Sequence, residues 1–164
     1  MTVEYLKKAK KTSTSDASDV TKIVQGILND IETGGEEACL KFRDQFDKYD
    51  GNVVLTAEEI QAACDQVPEK LKRDIQFAHA NVKRFAEAQK STIVDTEIEV
   101  IPGLTAGQKA IPCNAAGCYA PGGRYAHIAS ALMTVTTAKV AGCKNIVACS
   151  PPRPGVGIHP AIIY

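Results

Sequence analysis

The run Gly117-Cys-Tyr-Ala-Pro-Gly-Gly-Arg124 carries the residue types best suited to holding a ligand. Its glycines let backbone N–H groups approach an anion closely. A helix opening after Gly122 and Gly123 would turn its free N–H groups to the same place. Tyr119 falls at the carboxyl end of an expected strand, where open α/β sheets take ligands. Its ring could stack on a cofactor, or its hydroxyl could hydrogen-bond one. A tight strand-to-helix turn around a packed tyrosine accounts for the same residues. The spacing G-x-x-x-x-G is also that of a P-loop. However, Gly123 stands where the lysine belongs and Arg124 where the Ser or Thr belongs. Without that lysine on the phosphates and that hydroxyl on magnesium, nucleotide hydrolysis is disfavoured. The chain has no G-x-G-x-x-G, so the usual dinucleotide fingerprint is absent too.

Charge sharpens this reading. Nineteen basic residues balance nineteen acidic ones over the 164 residues, which leaves no basic excess for a nucleic-acid backbone. All nineteen acids lie in residues 1–100, and residues 101–164 hold five bases and no Asp or Glu. The half with the glycine turn therefore supplies no carboxylate base, no carboxylate metal ligand and no acid for a cofactor ribose. Six cysteines, at 39, 64, 113, 118, 143 and 149, form no C-x-x-C pair. They read as small buried hydrophobes rather than a zinc or redox motif. His79, His127 and His159 lack a partner at metal-ligand spacing, so neither a metal site nor a catalytic residue is assigned. The N-terminus is not a secretory signal and no run is long enough for a membrane span, so a cytoplasmic protein is expected.

The elements that would position the turn follow from periodicity. Val20, Ile23, Val24, Ile27, Leu28 and Ile31 form one apolar helical stripe, with Ser15 or Ser18 as N-cap and Gly34-Gly35 as its end. Cys39, Phe42 and Phe46 make a shorter stripe, and Val53–Leu55 a short strand or a staple. Thr56-Ala-Glu-Glu59 reads as a capping box opening a helix to about Gln66. Pro68 fits the first turn of another, whose stripe is Leu71, Ile75, Ala78, Val82 and Phe85. Beyond this helical region, residues 1–92, the pattern changes. Glu97–Ile101 and Gly107–Ile111 read as paired strands across Pro102-Gly103. Ala115–Tyr119, the glycine turn, a helix through Ile128, Leu132 and Val135 to about Gly142, and the strand Asn145–Cys149 make one βαβ unit. Ser150-Pro-Pro-Arg-Pro154 stops that strand, and another helix starts near Ala161. The fold class is α/β: an N-terminal helical layer, then at 93–164 the first part of a parallel sheet that looks cut off mid-fold.

These motifs, in this order, resemble the histidinol dehydrogenase family. The resemblance rests on Gly117-Cys-Tyr-Ala-Pro-Gly-Gly, on Leu132-Met133, and on Ala138-Lys-Val-Ala-Gly-Cys-Lys-Asn-Ile-Val-Ala-Cys-Ser-Pro-Pro152. Upstream, Gly34-Gly35-Glu36-Glu37-Ala38 and Phe46-Asp47 match as well. The resemblance implies an aldehyde-dehydrogenase-like, incomplete Rossmann-like α/β fold. It implies zinc- and NAD-dependent oxidation of an alcohol through an aldehyde to a carboxylate, as in histidine biosynthesis, by a homodimer. Tyr119, Pro121, Gly122 and Gly123 would contact NAD. The family's zinc ligands and its acid/base pair fall beyond the residues present, so this chain alone is expected to be inactive. Arg124-Tyr-Ala-His127 resembles a branch acting on sulfonated diols, in which Arg124 would face a sulfonate, a carboxylate or a pyrophosphate oxygen. A non-catalytic remnant serving folding or dimerisation is the alternative from another class.

Overall fold

The computed structural model describes residues 14–122, 125–153 and 156–164, with side chains from Asp19 onward. The chain divides into two compact units, Met1–Phe46 and Asp47–Tyr164. In the first, helix α1 spans Thr14–Phe42 and is interrupted at Gly35, where φ is 57° and ψ is −135°. Such a backbone conformation suits glycine alone, so the helix breaks where the Gly34-Gly35 pair predicts. Ser15 and Ser18 lie inside α1 rather than capping it, because the helical turns already begin at Thr14. A π-helical turn follows over Arg43–Asp47, and the rings of Phe42 and Phe46 stack with centroids 5.9 Å apart. Along the α1 stripe, Val20, Ile23, Val24 and Leu28 are between 47% and 63% exposed, while Ile27 and Ile31 are half-buried.

The second unit holds the remaining elements. Val53–Leu55 is irregular, neither strand nor helix. Helix α2 spans Ala57–Asp65 and opens on the expected capping box. The Thr56 hydroxyl accepts the Glu59 N–H at 3.2 Å, and the Glu59 carboxylate accepts the Thr56 N–H at 2.8 Å. Helix α3 spans Glu69–Ser91, with Pro68 one place earlier than expected, at the N-cap. Its inward face is Leu71, Ile75, Ala78, Val82 and Ala86. Phe85, placed on that face by its spacing, is 66% exposed, because Ala86 takes the position against the neighbouring helix.

Strands β1, Thr96–Ile101, and β2, Leu104–Gln108, form an antiparallel hairpin. The second strand begins three residues before the expected Gly107 and ends before Ile111. Pro102 and Gly103, with Gly103 at φ +80°, reverse the chain in the manner of a type II turn, so Leu104 pairs Ile101 at once. The Asp95 carboxylate closes the open end by accepting the Ala110 N–H at 2.9 Å. Strands β3, Ala115–Tyr119, and β4, Asn145–Cys149, pair in parallel, joined by helix α4 over Ile128–Ala141. This is the predicted βαβ unit. Helix α5, Pro160–Ile163, also starts where a helix is expected. The fold is α/β.

The core of this unit is small. Val67, Ile75 and Ala161 are buried, with Leu71, Ile128 and Leu132 packed against them. Those six come from the turn between α2 and α3, from α3, from α4 and from α5. The two long helices are tied at their ends, where the Lys90 ammonium donates to the Val140 carbonyl at 2.7 Å. No helix among the described residues is long and apolar enough to cross a membrane.

Candidate functional site

Burial along β3 alternates, as a strand with two different faces requires. Cys118 is buried and Ala116 half-buried, while Gly117 and Tyr119 face outward. Tyr119 is 59% exposed. It is the last residue of its strand and pairs in register with Cys149, the last residue of β4. The ring therefore stands exposed at the carboxyl edge of the parallel pair, where the glycine-turn reading expects it. One further bond, from the Ala120 N–H to the Cys149 carbonyl at 2.8 Å, carries the pairing past both strand ends.

The turns leaving β3 and β4 then touch. A Cβ on Gly122 would stand 2.6 Å from Pro151 Cγ and 3.1 Å from the Pro151 carbonyl oxygen. Only glycine fits this approach, which gives Gly122 a packing reason beside any ligand role. Pro121 and Gly122 are half-buried, and Gly123 and Arg124 lie outside the described residues.

A cleft of about 280 Å³ opens between the two turns, with Gly122, Tyr125, Ser150, Arg153 and His159 among its walls. The backbone of Arg153 exchanges two hydrogen bonds with Gly157, each 3.0 Å, which closes the second turn. His159 caps α5, its Nδ1 accepting the Ala161 N–H at 3.1 Å. Ser150 Oγ and Arg153 Nε are buried without a hydrogen-bond partner among the described residues. The sequence reading treats Ser150–Pro154 only as a strand stop and does not single out Ser150, Arg153 or His159 as site residues. One signal was available: Arg153 is one of five bases in a half that contains no acid.

A family model for histidinol dehydrogenase matches residues 10–164. The chain belongs to the histidinol dehydrogenase family. It is 67% identical over its whole length to the sulfopropanediol 3-dehydrogenase of Ruegeria pomeroyi, and spans 38% of that protein. It is 54% identical to a histidinol dehydrogenase homolog of Pelagibacter ubique, again over the whole chain and 39% of the relative. Among solved structures, the crystal structure of histidinol dehydrogenase from Elizabethkingia anophelis superposes with a TM-score of 0.78 at 32% identity. It covers 98% of this chain and 35% of that one. The chain thus spans well under half the length of the relatives it matches.

Family membership raises the question of which cofactors these residues fit. An exposed aromatic ring at the carboxyl end of a parallel strand would suit the ring system of a dinucleotide. Zinc does not fit here: among the described residues no three His, Cys, Asp or Glu side chains come together to hold a metal. The cysteines are free and separate, with Cys118 buried and Cys113 and Cys149 exposed.

Proposed function

We propose that this chain forms the dinucleotide-docking part of an NAD-dependent alcohol dehydrogenase of the histidinol dehydrogenase family. The observation that carries the reading is Tyr119, exposed at the carboxyl end of β3 next to the crossed turns. When bound, NAD would supply the acceptor for the hydride leaving the alcohol carbon. The work of this chain is to bind and orient. The Tyr119 ring offers a flat apolar face, and Pro121 and Gly122 fix the backbone beside it. The resemblance puts the family's acid/base pair outside these residues, and no zinc set is found among the described ones, so the chain alone is proposed to bind without turnover. The substrate class we favour is a sulfonated diol. The 67% identity to a protein named sulfopropanediol 3-dehydrogenase supports this over histidinol and over a place in histidine biosynthesis. Arg124 would then face the sulfonate. Assembly as a cytoplasmic homodimer belongs to the same proposal, and the exposed apolar residues of the α1 stripe support it.

Titration of the 164-residue chain with NAD, followed by calorimetry, tests the docking role. Saturable binding is expected, weakened about five-fold in Tyr119→Ala, since one aromatic stack is worth about 1 kcal/mol. A well-folded chain that binds no NAD would leave only the reading as a folding or dimerisation element, which the same exposed stripe favours.

A further inference from the structure

We infer that Ser150, Arg153 and His159 form a subsite for a tetrahedral oxyanion in the cleft between the two turns. The inference stands on the second turn and does not depend on the dinucleotide reading of Tyr119. Three observations carry it. First, Arg153 is half-buried and permanently charged, yet it makes no ion pair with any described carboxylate. None is close in sequence either, because residues 101–164 contain no Asp or Glu. A charged side chain partly withdrawn from water without a counter-charge is costly, and its buried Nε has no acceptor among the described residues. Second, Ser150 is a wall residue of the same cleft, and its Oγ is equally buried and equally without a partner among the described residues. Two orphaned polar atoms in one cleft call for a shared cause, since nearly all buried polar groups are satisfied. Third, His159 uses Nδ1 as acceptor for the Ala161 N–H, which leaves Nε2 to carry the proton of the neutral ring. Arg153, Ser150 and His159 thus line one cleft of about 280 Å³ with no acid among its described walls. That donor set fits a phosphate or sulfonate, whose several oxygens accept from Arg in its forked geometry.

The test uses the full 164-residue chain at low ionic strength, with inorganic phosphate as the calorimetric probe. Saturable binding is expected, weakened about ten-fold in Arg153→Gln and about three-fold in Ser150→Ala. Equal binding by wild type and folded Arg153→Gln would overturn the subsite. Circular dichroism accompanies each titration. Should Arg153→Gln lose structure, Ser150→Ala decides in its place, with unchanged binding counting against the inference. Competition then separates the sources of the oxyanion. Displacement of phosphate by ADP-ribose assigns a cofactor phosphate, displacement by propanesulfonate assigns a substrate sulfonate, and displacement by neither counts against a ligand subsite. Tyr119→Ala is expected to weaken ADP-ribose and leave inorganic phosphate alone. Failure of the ring as a ledge therefore shows separately from failure of the oxyanion subsite.

Discussion

The two turns that leave the carboxyl ends of β3 and β4 differ in what they offer. The first, after Tyr119, presents an open aromatic ring and a glycine packed to contact distance. The second, after Cys149, places Ser150, Arg153 and His159 in the walls of one small cleft. One turn supplies a flat apolar surface and the other supplies polar donors. Neither is a complete ligand site. The parallel register of β3 with β4 brings them side by side, so a ligand with a ring system and an anionic group would meet both.

Gly122→Ala puts the largest strain on this pairing. The new methyl group would meet Pro151 at 2.6 Å, and proline in a backbone turn has little room to give. Overpacking of this kind costs about 2 kcal/mol. Urea denaturation should show that loss, and both NAD and phosphate binding should weaken together, because the turns are forced apart. A variant of wild-type stability would mean that the turns are not locked at this point and that the comparison overstates their contact.

The first turn was legible in the sequence and the second was not, for a physical reason. Glycine pairs and a tyrosine at a strand end are local signals, readable from spacing. So were the capping box at Thr56, the break at Gly35 and the βαβ order, each fixed by residues within a few positions of one another. Arg153 and Ser150 gain their meaning only from a partner turn about thirty residues away, and from carboxylates that are missing. Packing faces were likewise blurred by one position. Phe85 has the right period for the α3 stripe, but the contact with α4 selects Ala86 instead.

His159→Ala sharpens the comparison with a smaller effect confined to the second turn. Removing the Nδ1 acceptor leaves the Ala161 N–H without its cap, a loss of about 1 kcal/mol at a helix start. Phosphate binding should fall with it, while the effect of Tyr119→Ala on NAD should be unchanged in this background. A double-mutant cycle measures that independence, since residues without shared partners add. Strong coupling between the two would show that the turns act as one site rather than two.

The smallest effect serves as a control on a helix that carries neither turn. The Glu59 carboxylate accepts from the Thr56 N–H at 2.8 Å and from the Asn52 amide at 3.0 Å. The Thr56 backbone bond first, and the Asn52 side chain second, hold its pKa below the ordinary glutamate value. A depressed folded-state pKa means stability that is fully present above the ordinary value, about 4.3, and lost as pH falls through the depressed one. Wild type should therefore exceed Glu59→Gln in stability at neutral pH, with the gap closing as pH falls below the ordinary glutamate value of about 4.3. Denaturation curves across that range check the sign, and a gap that is constant with pH would rule the capping carboxylate out. Phosphate and NAD binding at neutral pH should be equal in the two proteins. Any loss there would mean that α2 supports the crossed turns, and that their difference is not theirs alone.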